Sequence, residues 1–402
     1  MTRWLTFAAL FSLIAAGCAE TPTPTDPTSG AIDSPAAARK ARLVYMALPE
    51  KLPLGNGFVN GFATAINSSG VVVGWAHREG EPPQAVLWRG GDLVELQALG
   101  GGSSAAQDIN ERGDVVGWSE TSDGAVRAVV WRNGVPEGIG PAGSAYGTAE
   151  GINNRGQIVG SIENESGERN AFLVWRGRLE DLGRLPGSGF SVAEDINNRG
   201  DVVGWSASGC CVTQRATLWR GGEVRDLGTL QFESAAFAIN DRGTIVGGSI
   251  VDFLSHVVSW EHGEIRDLGL DGSANDINNR GQIVGSANLP ECAQCPFLWE
   301  RGMLIELSPG SSGNAQGISN AGRIAGYVGV GTPEGPTPVV WKTAGRLRSI
   351  PGLSAADAVS RPVGASDAVR SPTMRDAAAR AICETQSRVA AGVSALAVAA
   401  GC

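Results

Sequence analysis

The chain alternates short apolar segments with polar, glycine-rich segments, in an order that repeats along most of its length. Each copy begins with an isoleucine followed by Asn-x-x-Gly and continues with a β-branched segment that ends in glycine. After a polar stretch, a second apolar segment ends in tryptophan, and a segment such as Val224 to Leu230 follows. Short β-branched runs bounded by turn residues predict strands rather than helices.

The Asn-x-x-Gly sequence predicts the corner of a hairpin. An asparagine at the first position caps the turn with its side chain, and a glycine at the fourth accepts the left-handed backbone that a bulged type I hairpin requires. The residues assigned to these corners are Asn67 and Gly70, Asn110 and Gly113, Asn153 and Gly156, Asn197 and Gly200, Asn240 and Gly243, and Asn278 and Gly281. In a seventh copy, Ser319 replaces the asparagine before Gly322.

A tryptophan closes the second apolar segment of every copy. These residues are Trp88, Trp131, Trp175, Trp219, Trp260, Trp299 and Trp341. A large indole once per repeat is what packing between neighbouring sheets requires. We therefore predict that all of these tryptophans lie between the blades of a repeat fold.

Seven copies at a spacing of about 42 residues, each with three or four short strands, predict an all-β fold, a seven-bladed β-propeller. A single copy cannot bury its own faces, whereas a closed ring gives every sheet two neighbours. An open β-solenoid is the alternative. Strand-like segments at both ends of the array, Arg42 to Leu48 and Arg346 to Ile350, indicate that one terminus latches the ring, and the sequence leaves open which.

The first residues predict export. Residues 1–17 have a short charged start and an apolar run that is too short to span a bilayer as a helix, as in a secretory leader. Ile14 to Cys18 resembles the lipobox of bacterial lipoproteins, which implies lipid attachment at Cys18 and membrane association through that lipid. With Ala19 next, the resemblance implies sorting to the outer membrane or cell surface. Residues 18–41 predict a Pro/Thr-rich tether, 42–352 the propeller, and 353–402 an Ala-rich tail, helical or disordered.

The repeat resembles that of the HAF family of probable extracellular repeat proteins, whose copies read D-L-G-T-L-G-G, S-x-A-x-x-I-N-x-x-G-Q-V-V-G and H-A-F-x-W. The matching segments are Asp226 to Leu230, Gly100 to Ala106, Ile152 to Gly160 and Ala171 to Trp175. The resemblance covers about residues 42–352, although His256 alone holds the place of the histidine that names the family. It implies an exported repeat protein whose family has no assigned reaction.

Composition limits the chemistry. A formal net charge of -9 disfavours nucleic-acid binding, and 3 histidines leave little room for a histidine-based triad or a multi-histidine metal centre. The 57 glycines are explained by the many turns. The connections between the strand-ending glycine and the tryptophan are short in every copy, and no nucleophile elbow, phosphate loop or H-E-x-x-H motif is present.

One string imitates a calcium loop. The segment from Asp276 to Ile283 begins like an EF-hand, but Arg280 stands at position five and Asn288 at position twelve. Only Asp108, Asp195 and Asp276 fill the first position among the copies, whereas turn capping explains every copy. We therefore expect no cofactor, with structural calcium as a minor alternative. The recurrent acids are predicted to pair with arginines or turn amides; they are Asp181, Asp226 and Asp267.

The cysteines predict one local disulfide. Cys292 and Cys295 lie in a hairpin connection, and an oxidising compartment favours their pairing. A redox pair would need a βαβ pattern, which is missing here, and a zinc site would need ligands from a non-adjacent blade. The pairing of the remaining cysteines stays open; they are Cys210, Cys211, Cys383 and Cys402.

These observations lead to two functional interpretations. The main one is a non-enzymatic, surface-anchored, monomeric module that binds a protein or glycan partner across a face or the central channel. The alternative is a propeller hydrolase or lyase whose acidic residues line that channel. An enzyme should gather acids from several blades into one accessible cluster, whereas a binding module should show repeat-equivalent residues spread around the rim.

Overall fold

The computed structural model of the protein describes residues 44–45, 49–141, 144, 146–164, 166–208, 213–290 and 292–342. These residues belong to one compact unit, Asp33–Ala344, and the second unit lies outside them. Within the described residues every regular element is a strand, and no helix there could cross a membrane. The predicted leader, tether and tail lie outside the described residues, as do Cys18, Cys210, Cys211, Cys383 and Cys402.

Two short strands precede the repeats, β1 (Val44–Tyr45) and β2 (Glu50–Lys51). The next strands form four antiparallel sheets of four strands each. They are β3 (Phe58–Ile66), β4 (Val72–Arg78), β5 (Gln84–Arg89) and β6 (Asp92–Glu95); β7 (Gly100–Ile109), β8 (Val115–Thr121), β9 (Val126–Arg132) and β10 (Val135–Gly138); β11 (Gly147–Ile152), β12 (Ile158–Glu163), β13 (Arg169–Trp175) and β14 (Arg178–Gly183); and β15 (Phe190–Ile196), β16 (Val202–Ala207), β17 (Gln214–Arg220) and β18 (Glu223–Asp226).

The remaining strands form an eight-stranded sheet, which includes β1, and a final four-stranded sheet, which includes β2. They are β19 (Ser234–Ile239), β20 (Ile245–Val251), β21 (Leu254–Glu261), β22 (Glu264–Ile277), β23 (Ile283–Leu289), β24 (Cys292–Glu300), β25 (Met303–Glu306), β26 (Gly313–Ile318), β27 (Arg323–Val328) and β28 (Thr337–Lys342). The first part of β22 pairs with β21 and its second part with β23. This long strand therefore serves as the outer strand of one repeat and the inner strand of the next.

When β22 is counted as two strands, one for each of its two parts, the pairings among the described residues give seven four-stranded units. They are numbered 1 to 7 in chain order. The inner strands contact one another in sequence, and β26 of unit 7 contacts β3 of unit 1, so they surround a common axis. The arrangement is a β-propeller, and the all-β propeller predicted from the repeats is confirmed.

The hydrophobic cores lie between neighbouring units. Val73 of unit 1, for example, packs in one cluster with Ile109 and Trp131 of unit 2, and corresponding clusters occupy the other junctions. At the closing junction, Val340 of unit 7 shares a cluster with Ile66 of unit 1. Because each sheet buries both faces against its neighbours, its central strands are apolar on both sides and rich in valine and isoleucine.

The N-terminal side of the chain supplies the outer strand of unit 7. In β2, Glu50 lies opposite Val340 of β28, and the Leu52 N–H donates to the Pro338 carbonyl at 2.9 Å. By contrast, β1 pairs in parallel with β25 and extends unit 6. The latch is therefore Glu50–Lys51 rather than the segment from residue 42 to 48, and the candidate at 346–350 lies outside the described residues.

Candidate functional site

The corner asparagines join neighbouring units in addition to capping their own turns. The Asn153 Oδ1 accepts the N–H groups of Arg155 and Gln157, each at 3.0 Å, and Gly156 has a φ of 79°. The Asn153 Nδ2 donates to the Asn197 carbonyl of the next unit at 2.9 Å. Equivalent bonds between units, at 3.1 to 3.3 Å, start from Asn67, Asn110, Asn197, Asn240 and Asn278.

The junction between units 7 and 1 uses a different contact. Ser319 has no amide to donate; its hydroxyl caps its own turn by accepting the Arg323 N–H at 3.1 Å. Instead, the Arg323 guanidinium donates to the Ser69 carbonyl at 3.2 Å. The Asn-x-x-Gly pattern predicts only the turn; the second role of the asparagines depends on partners about 43 residues away and is not visible in that pattern.

Three aspartates, on the inner strands of units 2, 4 and 6, each link their own unit to the next one. Each accepts the N–H of its own following residue and the N–H of an isoleucine in the next unit. For Asp195 these donors are Ile196 at 2.6 Å and Ile239 at 2.8 Å. Asp108 and Asp276 make the same pair of bonds, to Ile109 and Ile152 and to Ile277 and Ile318. Since these oxygens are directed at backbone N–H groups, they do not converge as a calcium loop would require.

The same position is occupied by alanine or glycine in units 1, 3, 5 and 7. An aspartate thus always reaches into a unit that carries a small residue. An alternation of this kind cannot close around an odd number of units, and two small residues, Gly317 and Ala65, meet at the closing junction. A Cβ on Gly317 would lie 3.0 Å from the Ala65 Cα.

The pKa values of the three inner-strand aspartates are raised well above the ordinary value for a carboxyl. Burial raises the pKa of Asp108 to about 6, of Asp276 to about 7 and of Asp195 to about 8, and the charges of the other aspartates add to the shift at Asp195 and Asp276. The backbone N–H bonds oppose the shift but are outweighed. At about pH 7, part of these carboxyls is protonated, so Asp108, Asp195 and Asp276 together carry fewer than three negative charges.

A bulge in each inner strand, immediately before the aspartate position, brings a further ring of side chains to the axis. The register shift occurs at the same place in every unit, and bulges redirect side chains in this way. The bulged residues are all partly exposed; they are Thr64, Gln107, Glu150, Glu194, Phe237, Asn275 and Gln316. The two acids stand in neighbouring units, 3 and 4.

Glu150 and Glu194 form a carboxyl pair. Burial, together with the neighbouring charge of Glu150, raises the pKa of Glu194 to about 7. The Trp205 indole N–H donates to Glu194 at 2.8 Å, and the Gln107 amide donates to Glu150 at 3.0 Å. Both carboxyls are therefore held in place by side chains from the inner two strands, and Glu194 gains or loses its proton near neutral pH.

A cation lies beside this pair. The positive charge of Arg169 acts to lower the pKa of both Glu194 and Tyr146, although burial outweighs it at each. The Arg169 guanidinium stacks 4.7 Å above the Tyr146 ring and donates to the Ser161 hydroxyl at 2.9 Å. Units 3 and 4 thus place two carboxyls, an arginine, a tyrosine and an indole near one another. Sequence reasoning missed this group because the bulge position shows no fixed residue type among the copies.

The other acids singled out in the sequence lie on the outer strands and bind turn amides. Asp181, Asp226 and Asp267 accept the N–H groups of Gly183, Gly228 and Gly269 at 2.7 to 2.8 Å. Asp267 also bonds His256 Nδ1 at 2.9 Å. These acids do not meet at one site.

A disulfide joins Cys292 and Cys295 within β24, with the Cα atoms 5.7 Å apart. The buried Glu306 carboxylate lies beside it, 3.6 Å from the Cys292 sulfur.

The repeated tryptophans divide into two groups. Trp88, Trp131, Trp219, Trp260 and Trp341 are at most 3% exposed and belong to clusters between units, and Trp299 packs at the edge of another.

Trp175 is 43% exposed, and the prediction that it lies between blades is wrong. In unit 3 the residue opposite Ile158 is Val174, whereas in unit 1 the equivalent Val72 lies opposite Trp88. A shift of one residue sends a side chain to the other face of a strand. The signal is visible in the sequence, since Trp175 follows Ala171 by four residues and Trp88 follows Ala85 by three.

Comparison with known proteins supports the fold. No family model matches the chain, and no characterised protein sequence matches it. Similar solved structures include a puromycin-hydrolyzing peptidase from Mycobacterium tuberculosis (14% identity, 77% of this chain and 57% of that chain, TM-score 0.49). They also include the β-propeller domain of the Trilobed protease from Pyrococcus furiosus (9% identity, 72% of this chain and 95% of that chain, TM-score 0.49). A third is an acylaminoacyl peptidase from Pyrococcus horikoshii (13% identity, 70% of this chain and 51% of that chain, TM-score 0.46).

The chain spans about half the length of the two peptidases, and likeness at this level of identity shows the fold alone. Because several of these similar structures are peptidases, our main interpretation, a non-enzymatic binding or scaffold module, and with it the expectation that the chain is not an enzyme, do not stand. The findings agree better with the alternative, a propeller hydrolase or lyase.

Proposed function

We propose that the protein is a hydrolase or lyase in which Glu150 and Glu194 perform acid–base chemistry near the axis of the propeller. The observation that carries this proposal is the pKa of Glu194, raised to about 7 by burial beside Glu150. A general acid or base works best when its pKa lies near the operating pH, and a carboxyl tuned in this way marks candidate catalytic sites.

The surrounding residues support distinct roles for the two carboxyls. Glu194, partly protonated at neutral pH, donates the proton to a leaving group, while Glu150 acts as the base. Arg169 supplies a positive charge where negative charge develops during bond cleavage. The Trp205 and Gln107 hydrogen bonds hold the carboxyls in position. Two carboxyls with separated roles are sufficient for cleavage with water or for elimination.

The test is turnover by the full-length protein on pools of ester, lactone, peptide and polysaccharide substrates, compared with Glu194→Gln and Glu150→Gln. We expect each substitution to lower kcat by about 10²- to 10⁴-fold. Because protonated Glu194 is the donor, kcat/KM should fall as the pH rises through about 7. Glu223→Gln, on the exposed outer strand β18, is the matched control. Unchanged turnover in Glu194→Gln, or no turnover on any pool, would contradict the proposal.

We also propose that the seven units are the seven blades of the ring and that the chain is related to the HAF repeat family. The repeat residues and their equivalent contacts in successive units support both points. For the region outside the described residues, we propose an exported lipoprotein anchored through Cys18. Cys18→Ser should release the protein into the medium, as judged by fractionation of cells, and continued recovery with membranes would argue against the anchor.

A further inference from the structure

The face that carries the corners is rich in arginine although the chain as a whole is acidic. The third residue of the corner is arginine in five successive units. They are Arg112, Arg155, Arg199, Arg242 and Arg280. The turns that follow the tryptophans open on the same face, because β3 and β5, and their counterparts in the other units, run in the same direction. These turns contribute further arginines, among them Arg132, Arg176 and Arg220.

Two depressions on this face lie between neighbouring units. The unit-2/3 depression has a volume of about 530 Å³ and is lined by Arg112, Arg132, Arg155, Gly156, Trp175 and Arg176. The unit-4/5 depression has a volume of about 370 Å³ and is lined by Arg199, Asp201, Arg220, Arg242, Gly243, Thr244, Glu261 and His262. The first has four guanidinium groups and no acid in its lining, whereas the second contains two carboxylates.

The fifth corner position supplies an acid in units 2 and 4 but not in unit 3. In unit 4, Asp201 at the fifth corner position pairs with Arg220 at 2.8 Å, and in unit 2 Asp114 pairs with Arg112 at 2.8 Å. In unit 3 this position is Gln157, whose side-chain oxygen accepts the Asn153 amide instead.

Arg132 pairs with Glu137, but two cations of the depression remain uncompensated. Among the described residues, no carboxylate lies within 4.0 Å of Arg155 or Arg176.

A departure from the repeat falls at the same place. The one-residue shift in β13 removes Trp175 from the core between units and exposes it in the wall of this depression, with the Arg176 guanidinium 4.6 Å above its ring. In the ordinary repeat register, this indole would be buried between units. The displaced tryptophan therefore lies beside Arg155 and Arg176, and together they form one surface that combines unpaired cations with an apolar plane.

We propose that the unit-2/3 depression binds an acidic sugar, whose carboxylate or phosphate contacts Arg155 and Arg176 while its C–H face packs on Trp175. Guanidinium groups match carboxylate and phosphate oxygens in a bidentate geometry. The indole provides a flat contact area with an apolar face. The role of this ligand as substrate rests on the proposed function, whereas its binding does not.

A compact ligand fits better than a nucleic-acid strand. The cationic surface is confined to a depression of about 530 Å³, and the formal net charge of -9 opposes the long-range approach of a polyanion. A single sugar unit with one or two anionic groups lies within the depression and avoids that repulsion.

The experiment is titration of the full-length protein by calorimetry with a uronate disaccharide, a sugar phosphate, a neutral disaccharide and a short single-stranded oligonucleotide. We expect one or both acidic sugars to bind at least tenfold more tightly than the neutral one, and the comparison between them identifies the anion. The affinity of the acidic sugars should fall as the salt concentration rises from 50 to 500 mM, because salt screens the attraction between exposed charges.

The variants remove one feature at a time. Arg155→Gln, Trp175→Ser and Arg176→Asn should each weaken acidic-sugar binding at least fivefold; asparagine is chosen because residue 176 has a φ of 52°, which asparagine tolerates. The matched control is Arg242→Gln, at the same corner position but in the unit-4/5 depression, and it should leave affinity unchanged. Glu194→Gln should also bind normally, so a loss of turnover with intact binding separates the two proposals.

Three results would overturn the inference. The first is failure of both acidic sugars to bind at millimolar concentration. The second is equal weakening by Arg242→Gln and Arg155→Gln, which would indicate only the general charge of the face. The third is tighter binding of the oligonucleotide than of either sugar.

Discussion

At the scale of the residue, the corner asparagine does more than a turn requires. Its side-chain oxygen caps the local turn, which several other polar residues could also do. Its side-chain N–H group donates to a backbone carbonyl of the next unit. Ser319, the one exception, keeps the cap and loses the link. The choice of asparagine over serine is thus explained by the neighbouring unit rather than by the turn.

This division of roles can be measured at Asn153. Asn153→Ser should retain a cap, as Ser319 does, but lose the bond to the Asn197 carbonyl, lowering the free energy of unfolding by about 1 kcal/mol. Asn153→Ala loses both and should cost about 1–3 kcal/mol, because buried backbone groups are left unpaired. Urea denaturation followed by circular dichroism gives both values. Equal stability of Asn153→Ser and the wild type would show that the link between units contributes nothing.

The inner-strand aspartates make stability depend on pH. Burial raises the pKa of Asp195 to about 8 and of Asp276 to about 7, far above the unfolded value of about 3.9. The folded state therefore binds more protons, so their contribution is complete below about pH 4 and is lost as the pH rises through about 7 to 8. We expect the urea midpoint to decrease from pH 5 to pH 8.5, and Asp195→Asn to flatten that dependence. A midpoint that rises over this range would contradict the assignment.

At the scale of the element, one strand shows how a register shift changes the role of a residue. β13 has an additional residue between Ala171 and Trp175, so Val174 takes the place of the repeat tryptophan opposite Ile158. The core between units 2 and 3 is filled instead by residues such as Phe172. The motif predicts core packing of the tryptophan in all seven copies, but in this copy the indole is exposed.

Two matched substitutions separate these environments. Trp131→Ala, at a tryptophan 1% exposed, should cost about 3–5 kcal/mol because it leaves a large cavity between units. Trp175→Ala, at a tryptophan 43% exposed, should change the free energy of unfolding by no more than about 0.5 kcal/mol. Chemical denaturation of both variants provides the comparison. A large loss of stability in Trp175→Ala would mean that its indole is part of the core.

At the scale of the whole molecule, closure of the ring depends on a very short strand. β2 contributes two residues to unit 7, and the next residue, Leu52, adds a hydrogen bond to Pro338 and packs against the closing cluster. The Trp88 indole donates to the Pro53 carbonyl at 2.9 Å, just beyond this strand. Segments almost three hundred residues apart in the chain are joined in this way.

Leu52 allows the backbone contribution to closure to be isolated. Leu52→Ala removes side-chain packing only, whereas Leu52→Pro also removes the N–H that binds the Pro338 carbonyl. We expect the proline variant to be less stable than the alanine variant by about 1–3 kcal/mol, with faster hydrogen exchange of the β28 amides. Identical exchange in the two variants would show that the hydrogen bond from Leu52 to Pro338 contributes nothing to closing the ring.

The distribution of charge also appears only at this scale. The net charge of -9 correctly describes the chain as acidic, but it conceals a corner face on which an arginine recurs in five successive units. On that face, Arg155 and Arg176 have no carboxylate partner among the described residues. Composition averages over surfaces that the fold keeps apart. Recognition depends on the local surface, and the tertiary structure decides where the arginines meet.

The sequence by itself determined the repeat, its strands, its corners and the propeller class, because these depend on residues within a few positions of one another. The dual role of the asparagines, the alternation of aspartates, the Glu150 and Glu194 pair and the exposure of Trp175 were decided by tertiary structure. Each of these requires a contact with another unit, about 43 residues away, or a one-residue change of register. A local strand pattern does not show either of these, because such contacts form and stabilise the protein only when neighbouring sheets pack.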